Sequence, residues 1–441
     1  MTASRGSTHN RNVNHGFTSG VVSQAFALSA SLAALVIITR ALTPAQYGTY
    51  ATLTSLTSLL AVADLGLGAS LTTRMAPLRV ARDISAQRQL VSGILGTLTS
   101  VAALVLIVGI SLAALAQRYQ WIPTLGSQAP LAVMSLCIGI SLSIPATLAY
   151  RLLLAVEKGV QANILLASGP VVSLATTYLL IELGTPLWLL VLNSTATPAV
   201  VMLAVLTRLL YGPHSDLRPR TLLASWAAVR VPIRMGSAFL LMNLSLVLAY
   251  QLDLVIVAST LGPEQAAQYA IALRAFLLIS QALGVAIAPL WPAFAHRLAE
   301  GDMKWIKRRL LVSLAQIFAL ATLGSTILIV LGPTLIQKAM GPGYVPGRLL
   351  LILMGTWTVL SLCWSACSYL LNAAAVLWAQ VSVLVANAIA NVIVTLYLTK
   401  SIGITGPVVS SITCFAAIVV LPTLIMTLRV LKQHSGEREN V

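Results

Sequence analysis

Apolar residues fill this chain in blocks of about twenty or more, separated by short polar, basic or proline- and glycine-marked segments. The blocks are too long for a soluble core, and a helix needs roughly 20 apolar residues to cross the hydrocarbon of a bilayer. About twelve stretches qualify. In the first half they run over Phe17 to Thr39, Tyr47 to Ser70, Leu90 to Ala116, Gln128 to Val156, Gln161 to Ile181 and Pro186 to Leu210. In the second half they run over Gly236 to Ser259, Ala266 to Leu290, Leu310 to Gln337, Arg348 to Leu371, Val376 to Leu398 and Ile404 to Leu428.

The division into six and six has independent support. LTPAQYGTYATLTSLTSLLAVADLGLGASLTTRMA, from Leu42 to Ala76, returns 219 positions later as LGPEQAAQYAIALRAFLLISQALGVAIAPLWPAFA, from Leu261 to Ala295. The same offset superposes Pro44 on Pro263, Tyr50 on Tyr269, Tyr150 on Tyr369 and Gln161 on Gln380. A register held that long points to two copies of one unit, a common ground plan of secondary transporters. The expected architecture is therefore an all-α polytopic membrane protein of about twelve transmembrane helices in two pseudo-symmetric six-helix lobes, residues 1–215 and 216–441.

Composition agrees: of 441 residues 58% are apolar and 9% charged, and mean hydropathy is +0.91. The net charge of +16 suggests nucleic acid until the basic residues are placed. With both termini cytoplasmic, 21 of the 27 Lys and Arg fall in inside segments, and only Arg40, Arg118, Lys338, Arg348 and Lys400 fall outside. The remaining one, Arg274, lies within a span. The positive-inside rule thus sets an N-in, C-in orientation, and the surplus charge serves topology and contact with anionic membrane lipids, with no nucleic-acid partner. The four cysteines all lie in spans and imply packing, not disulfides; the five histidines sit in tails or loops without ligand spacing, so no metal is expected. The first sixteen residues resemble a signal-peptide n-region, but the apolar run that follows is too long for an h-region and reads as a retained first helix.

Few polar groups interrupt the spans. Asp64 closes the second, in ADLGLG, with Arg74 at the cytoplasmic edge, and reads either as an edge ion pair or cap or as a coupling and gating group. Pro145, Pro170 and Pro198 bend spans four to six, either around a cavity or as packing kinks. WAAVRVPIR, Trp226 to Arg234, has the character of an interfacial connector between the lobes. Span seven carries Asn243, Tyr250, Gln251 and Asp253; span eight carries Arg274 and Gln281. Asp253 and Arg274 fall at matching depth in an antiparallel hairpin and form an expected ion pair, since an unpaired charge there is costly. Subtracting the offset puts Arg274 on Ser55 and Asp253 on Ala34, so these charges break the internal symmetry, as functional groups would and scaffold groups need not. Asn387 and Asn391 share one helix face, for sugar hydroxyls or for interhelical hydrogen bonds. Trp121, Trp188, Trp291, Trp305 and Trp357 are placed near helix ends as an aromatic belt. There is no P-loop, no acidic pair with metal-binding spacing and no long loop for a catalytic region, so an enzyme is disfavoured and no cofactor is expected.

LTPAQYGTYATLTSLTSLLAVADLGLGASLTTR and LDLVIVASTLGPEQAAQYAIALR together resemble the polysaccharide transporter family, the O-antigen flippases of the multidrug/oligosaccharidyl-lipid/polysaccharide exporter superfamily. The shared habit is an Asp in helix seven, then LG, a Tyr-Ala pair and a basic residue: Asp253, Leu261-Gly262, Tyr269-Ala270 and Arg274. The resemblance implies two six-helix lobes in a V around a cationic cavity. It implies flipping of an undecaprenyl-pyrophosphate-linked oligosaccharide from the cytoplasmic to the periplasmic leaflet of a bacterial inner membrane, by alternating access and driven by a proton or sodium gradient. Polysaccharide polymerase and glycosyltransferases are the protein partners it implies. On this reading Arg274, Asp253, Arg40, Gln251, Gln281, Asn243, Asn387 and Asn391 belong to the cavity, with Arg274 on the pyrophosphate, while Asp64 and Arg74 couple or gate. The alternatives are a multidrug/cation antiporter of the same superfamily and a non-transporting scaffold for polysaccharide synthesis enzymes.

Overall fold

A computed structural model describes residues 2–59, 71, 75, 78–79, 81–119, 128–156, 158–219 and 240–436. Every regular element among them is helical, and ten helices are long and apolar enough to cross a membrane. The helix boundaries follow the hydropathy closely. The chain divides into two compact units: Met1–Gln46 with Leu53–Leu240, and Tyr47–Thr52 with Leu241–Val441.

In the first unit, α1 (Thr2–Ala41) is helical well before the apolar run that predicts it, because no proline interrupts the polar start. α2 (Pro44–Ser55) opens with a capping box: Thr43 accepts from the Gln46 amide, and the Gln46 side chain accepts from the Thr43 amide at 3.0 Å. It ends in a 3-10 turn, Leu56–Leu59. The rest of the expected second span, with Asp64 and Arg74, lies outside the described residues, as do the Trp226 to Arg234 connector and Trp121.

Four long helices follow: α3 (Ile84–Tyr119), α4 (Ala129–Ala155), α5 (Gly159–Glu182) and α6 (Leu187–Tyr211). α4 packs against α3 and α6, and α5 against α1 and α6. With lipid outside, hydrophobicity cannot drive this packing; small residues and hydrogen bonds do. A β-carbon on Gly139 of α4 would fall 1.9 Å from Thr195 Oγ1 of α6. Asn193 of α6 is 7% exposed and fully engaged. Its oxygen accepts from Thr176 and Thr197, each at 2.6 Å, and its nitrogen donates to Thr177 Oγ1 at 2.8 Å and to the Ser173 carbonyl at 3.2 Å, tying α5 to α6.

In the second unit, the apolar span Leu240–Leu261 is interrupted by a turn at Gln251, after which α7 (Leu252–Leu261) begins. Gly262, at φ 93°, turns the chain into α8 (Pro263–Ile287). α2 and α8 thus begin at prolines one repeat apart, with a threonine cap in one copy and a left-handed glycine in the other. A short amphipathic α9 (Leu290–Glu300) leads into α10 (Met303–Met340), whose first turn is capped by Asp302 accepting from the Trp305 amide at 3.1 Å. At 1.5 Å per residue α10 far exceeds a hydrocarbon core of about 30 Å. Its first turns, with Lys304, Lys307, Arg308 and Arg309, therefore extend beyond the hydrocarbon, while Leu320, Leu323, Val330 and Leu335 expose an apolar face suited to lipid. α11 (Arg348–Ala373) and α12 (Leu377–Ile402) come next. The final span is composite: α13 (Gly406–Cys414), a π-helical segment at Phe415–Val420, and α14 (Leu421–Gly436). The core under α9 to α11 is built on Phe294, Ile306, Ala366 and Leu370, and Cys367 packs into it. Gly48, in the Tyr47–Thr52 stretch of α2, belongs to this unit too. A β-carbon there would lie 1.7 Å from the Pro263 carbonyl oxygen, so only glycine permits the approach.

Candidate functional site

Asp253 lies in the first turn of α7, two residues past the turn at Gln251. Asp253 is 3% exposed, and among the described residues no cation pairs with it. Tyr269 of α8 donates to Oδ2 at 3.3 Å, Ser411 of α13 to the same oxygen at 3.2 Å, and Thr395 of α12 to Oδ1 at 3.4 Å. All three are looser than the roughly 2.7–2.8 Å usual for O–H···O bonds. A second layer orients them. Asn391 donates to Ser411 Oγ at 3.3 Å, its side-chain oxygen at 3.1 Å shares the single Thr395 proton with Asp253, and its backbone carbonyl accepts from Ser410 at 3.1 Å. Four helices thus meet on one carboxyl group, through hydroxyl and amide groups alone. Such an oxygen set suits a proton or a hard cation; no group of three or more His, Cys, Asp or Glu with metal-binding proximity occurs among the described residues.

One helical turn away, Tyr250 accepts from Asn387 Nδ2 at 3.0 Å and enters an aromatic cluster. Its ring centroid is 4.6 Å from that of Trp357, and Phe415 stands edge-on to Tyr250, Trp357 and Trp364 at 6.1, 5.0 and 5.3 Å. These rings line a cavity of about 360 Å³ with Asn243, Gln251, Ser280, Ser361 and Ser365 among its polar walls.

The expected ion pair between Asp253 and Arg274 does not form. Their helices are neighbours, but the two side chains leave on different faces: Asp253 toward α12 and α13, Arg274 toward Tyr47 and Tyr50. Tyr47 is fully buried, packed edge-on against Tyr344 at 5.8 Å, and burial with the Tyr47 ring alongside pushes the Tyr344 phenol up to about 12. Asn387 and Asn391, 1% and 0% exposed, are interhelical ties and not cavity walls. Asn243 and Gln251 do line the cavity; Gln281 lies one residue from Ser280 and does not, and Arg40 belongs to the first unit. Trp357, placed with the aromatic belt from sequence, stands mid-helix and lines the cavity, because its neighbours at that depth are Tyr250 and Phe415 and not headgroups. Tyr269, Thr395, Ser411, Trp364 and Phe415 went unmarked by sequence reasoning, although the Asn391/Thr395 spacing and the Ser410-Ser411 pair carried a signal.

Comparison with solved structures decides the architecture. An inward-facing multidrug resistance MATE family transporter of the MOP superfamily aligns over 94% of this chain and 99% of its own, at TM-score 0.71 and 14% identity. The fold is that of the MOP-superfamily transporters. A MOP-superfamily transporter from Pyrococcus furiosus, described as having a binding pocket of reverse polarity that suggests a different function, aligns over 96% of both chains at TM-score 0.69 and 13% identity. An outward-facing MATE family transporter aligns over 96% of both chains at 0.59 and 12%. No family profile and no curated protein sequence matches the chain. In this MOP fold the second unit holds both the acid cluster and the aromatic cavity.

Proposed function

We propose that this chain flips a polyprenyl-pyrophosphate-linked oligosaccharide from the cytoplasmic to the periplasmic leaflet by alternating access, with Asp253 exchanging a proton or sodium ion to drive the cycle. The observation that carries the reading is the buried carboxyl of Asp253 at the junction of four helices, held among the described residues by three neutral hydroxyls. Adding or removing a charge there changes the balance between desolvation and pairing by several kcal/mol, enough to shift a two-state equilibrium. Two features favour a glycolipid cargo. Arg274 supplies a cation within the bundle for the pyrophosphate, whose charge otherwise bars it from hydrocarbon, and the cavity walls are neutral amides, hydroxyls and rings. A multidrug antiporter remains the second reading, favoured by the MATE names of the structural neighbours and by aromatic rings that would also hold an organic cation.

The test is translocation of undecaprenyl-pyrophosphate glycan in proteoliposomes, under an imposed proton or sodium gradient. Wild type should respond to one gradient and Asp253→Asn should lose that response; Arg274→Ala should slow movement tenfold or more, the scale of one lost charged contact of about 1.5–3 kcal/mol. A wild type that moves no glycolipid but expels tetraphenylphosphonium sinks the flippase in favour of the antiporter. Full gradient response in Asp253→Asn removes the role given to the acid.

A further inference from the structure

The cavity of the second unit lies beside, and apart from, the acid cluster, and its lining is specific enough to assign. Three candidate occupants make different demands on the walls. A polyprenyl tail asks for hydrocarbon throughout, yet the amides of Asn243 and Gln251 face this space, and a tail packed on them would leave them buried without hydrogen bonds. An organic cation is held best by a carboxylate beside the rings, and among the described residues that line the cavity none is acidic. A sugar ring asks for what is present. It offers a patch of C–H bonds on one face, electropositive against the negative face of an aromatic ring, and hydroxyls around its rim that donate and accept.

The geometry fits that division of labour. Phe415 stands edge-on to three rings at once and fixes them, while Trp364 donates its indole N–H to Thr423 at 3.1 Å and cannot swing. Ser361 and Ser365 return their protons to carbonyls one turn back, which leaves their oxygens as acceptors. Among the described residues the side chains of Asn243 and Gln251 take no hydrogen-bond partner, so both amides are free to donate and accept. The volume of about 360 Å³ falls at the small end of ligand pockets, about 300–1,000 Å³, a space for a ring or two and not for a long chain.

We infer that this cavity is a saccharide subsite, one that takes an uncharged pyranose ring stacked on the Tyr250–Trp357 face and hydrogen-bonded by Asn243 and Gln251. The assignment rests on the glycolipid reading above and deepens it. It also ties sugar to ion. Tyr250 and Asp253 flank the break at Gln251, and Ser411 and Phe415 are one turn apart where the last span turns π-helical, so the two irregular helices of the unit each carry one residue of the cavity and one of the acid cluster.

The test separates the subsite from transport by using sugars without lipid. The full chain in lipid nanodiscs is probed by saturation-transfer NMR with methyl glycosides of glucose, galactose, N-acetylglucosamine and rhamnose, and with tetraphenylphosphonium. The expected result is transfer to the ring protons of at least one glycoside, weakened roughly tenfold by Trp357→Leu, the loss of about one aromatic contact. Asn243→Leu, at the exposed mouth, supplies a second variant that leaves the rings in place and should weaken the same signal. Unchanged binding in both folded variants overturns the subsite, as does transfer to tetraphenylphosphonium alone. No transfer to any glycoside by a wild type that translocates the glycolipid overturns the subsite and leaves the flippase standing. Glycoside binding without glycolipid translocation supports the subsite and sinks the flippase.

Discussion

A carboxylic acid inside a membrane bundle must be paired, protonated or solvated by fixed dipoles, and Asp253 has only the last of these provided by its neighbours. That makes its substitutions informative. Asp253→Asn keeps a hydrogen-bonding group among Tyr269, Thr395 and Ser411 and should leave the melting temperature in detergent nearly unchanged. Asp253→Leu strands those hydroxyls and should cost about 1–3 kcal/mol for each one left unsatisfied, seen as a lower melting temperature. Gly48→Ala is a steric counterpart. A β-carbon 1.7 Å from the Pro263 carbonyl must push α2 off α8, and overpacking of this kind costs about 1–3 kcal/mol, measurable by the same melt. The acid was legible in the sequence because one Asp stands out in an apolar run. Its partners were not, since hydroxyls are scattered through every span and most bond only their own helix, as Ser245 does with Leu241 and Thr358 with Met354. Arg274 shows the complementary limit: depth follows from counting residues, whereas the face a side chain leaves on depends on the packing of neighbours the hairpin alone does not reveal.

Helices supply the next set of expectations. Asn193 ties α5 to α6 with all of its hydrogen-bonding capacity used, so Asn193→Ala leaves Thr176, Thr177 and Thr197 to find other partners and should destabilise the first unit by about 1–3 kcal/mol, with amide exchange in α5 and α6 rising together. At the start of α3, Asp83 accepts from the Ser85 hydroxyl at 2.6 Å and the Ala86 amide at 2.9 Å, and these bonds hold its carboxyl below the usual carboxylate range. A folded value below the unfolded one means that the cap contributes fully above the unfolded pKa, about 3.9, and fades as pH falls through the folded value. The stability advantage of wild type over Asp83→Asn should therefore shrink on acidification below about pH 4. Span positions were readable because length and hydropathy suffice for them. The turn at Gln251 was not, because neither proline nor glycine marks it. The π-helical segment at Phe415–Val420 did carry a mark that went unused: Pro422 has no N–H for the Ile418 carbonyl and crowds it, which disturbs the helix at that point.

Across the whole molecule, the repeat and the distribution of basic residues were the most legible features, since both are carried by sequence register rather than by any side-chain contact. The orientation they set is testable: a cysteine at position 307 should react with a membrane-impermeant maleimide only from the cytoplasmic side, and one at 338 only from outside. Native Cys137, Cys367 and Cys414 are buried and should contribute little background. The repeat did not forecast how far its copies have diverged, with the acid cluster and the ring-lined cavity both in the second unit. On the proposed mechanism one carboxyl in that cluster loads one charge per turnover, which fixes a ceiling on the electrical work. A single elementary charge crossing 100 mV releases about 2.3 kcal/mol. At about 1.36 kcal/mol per factor of ten, a potential of that size alone holds the cargo roughly fifty-fold out of balance between leaflets, and anything beyond that must come from the concentration gradient of the ion.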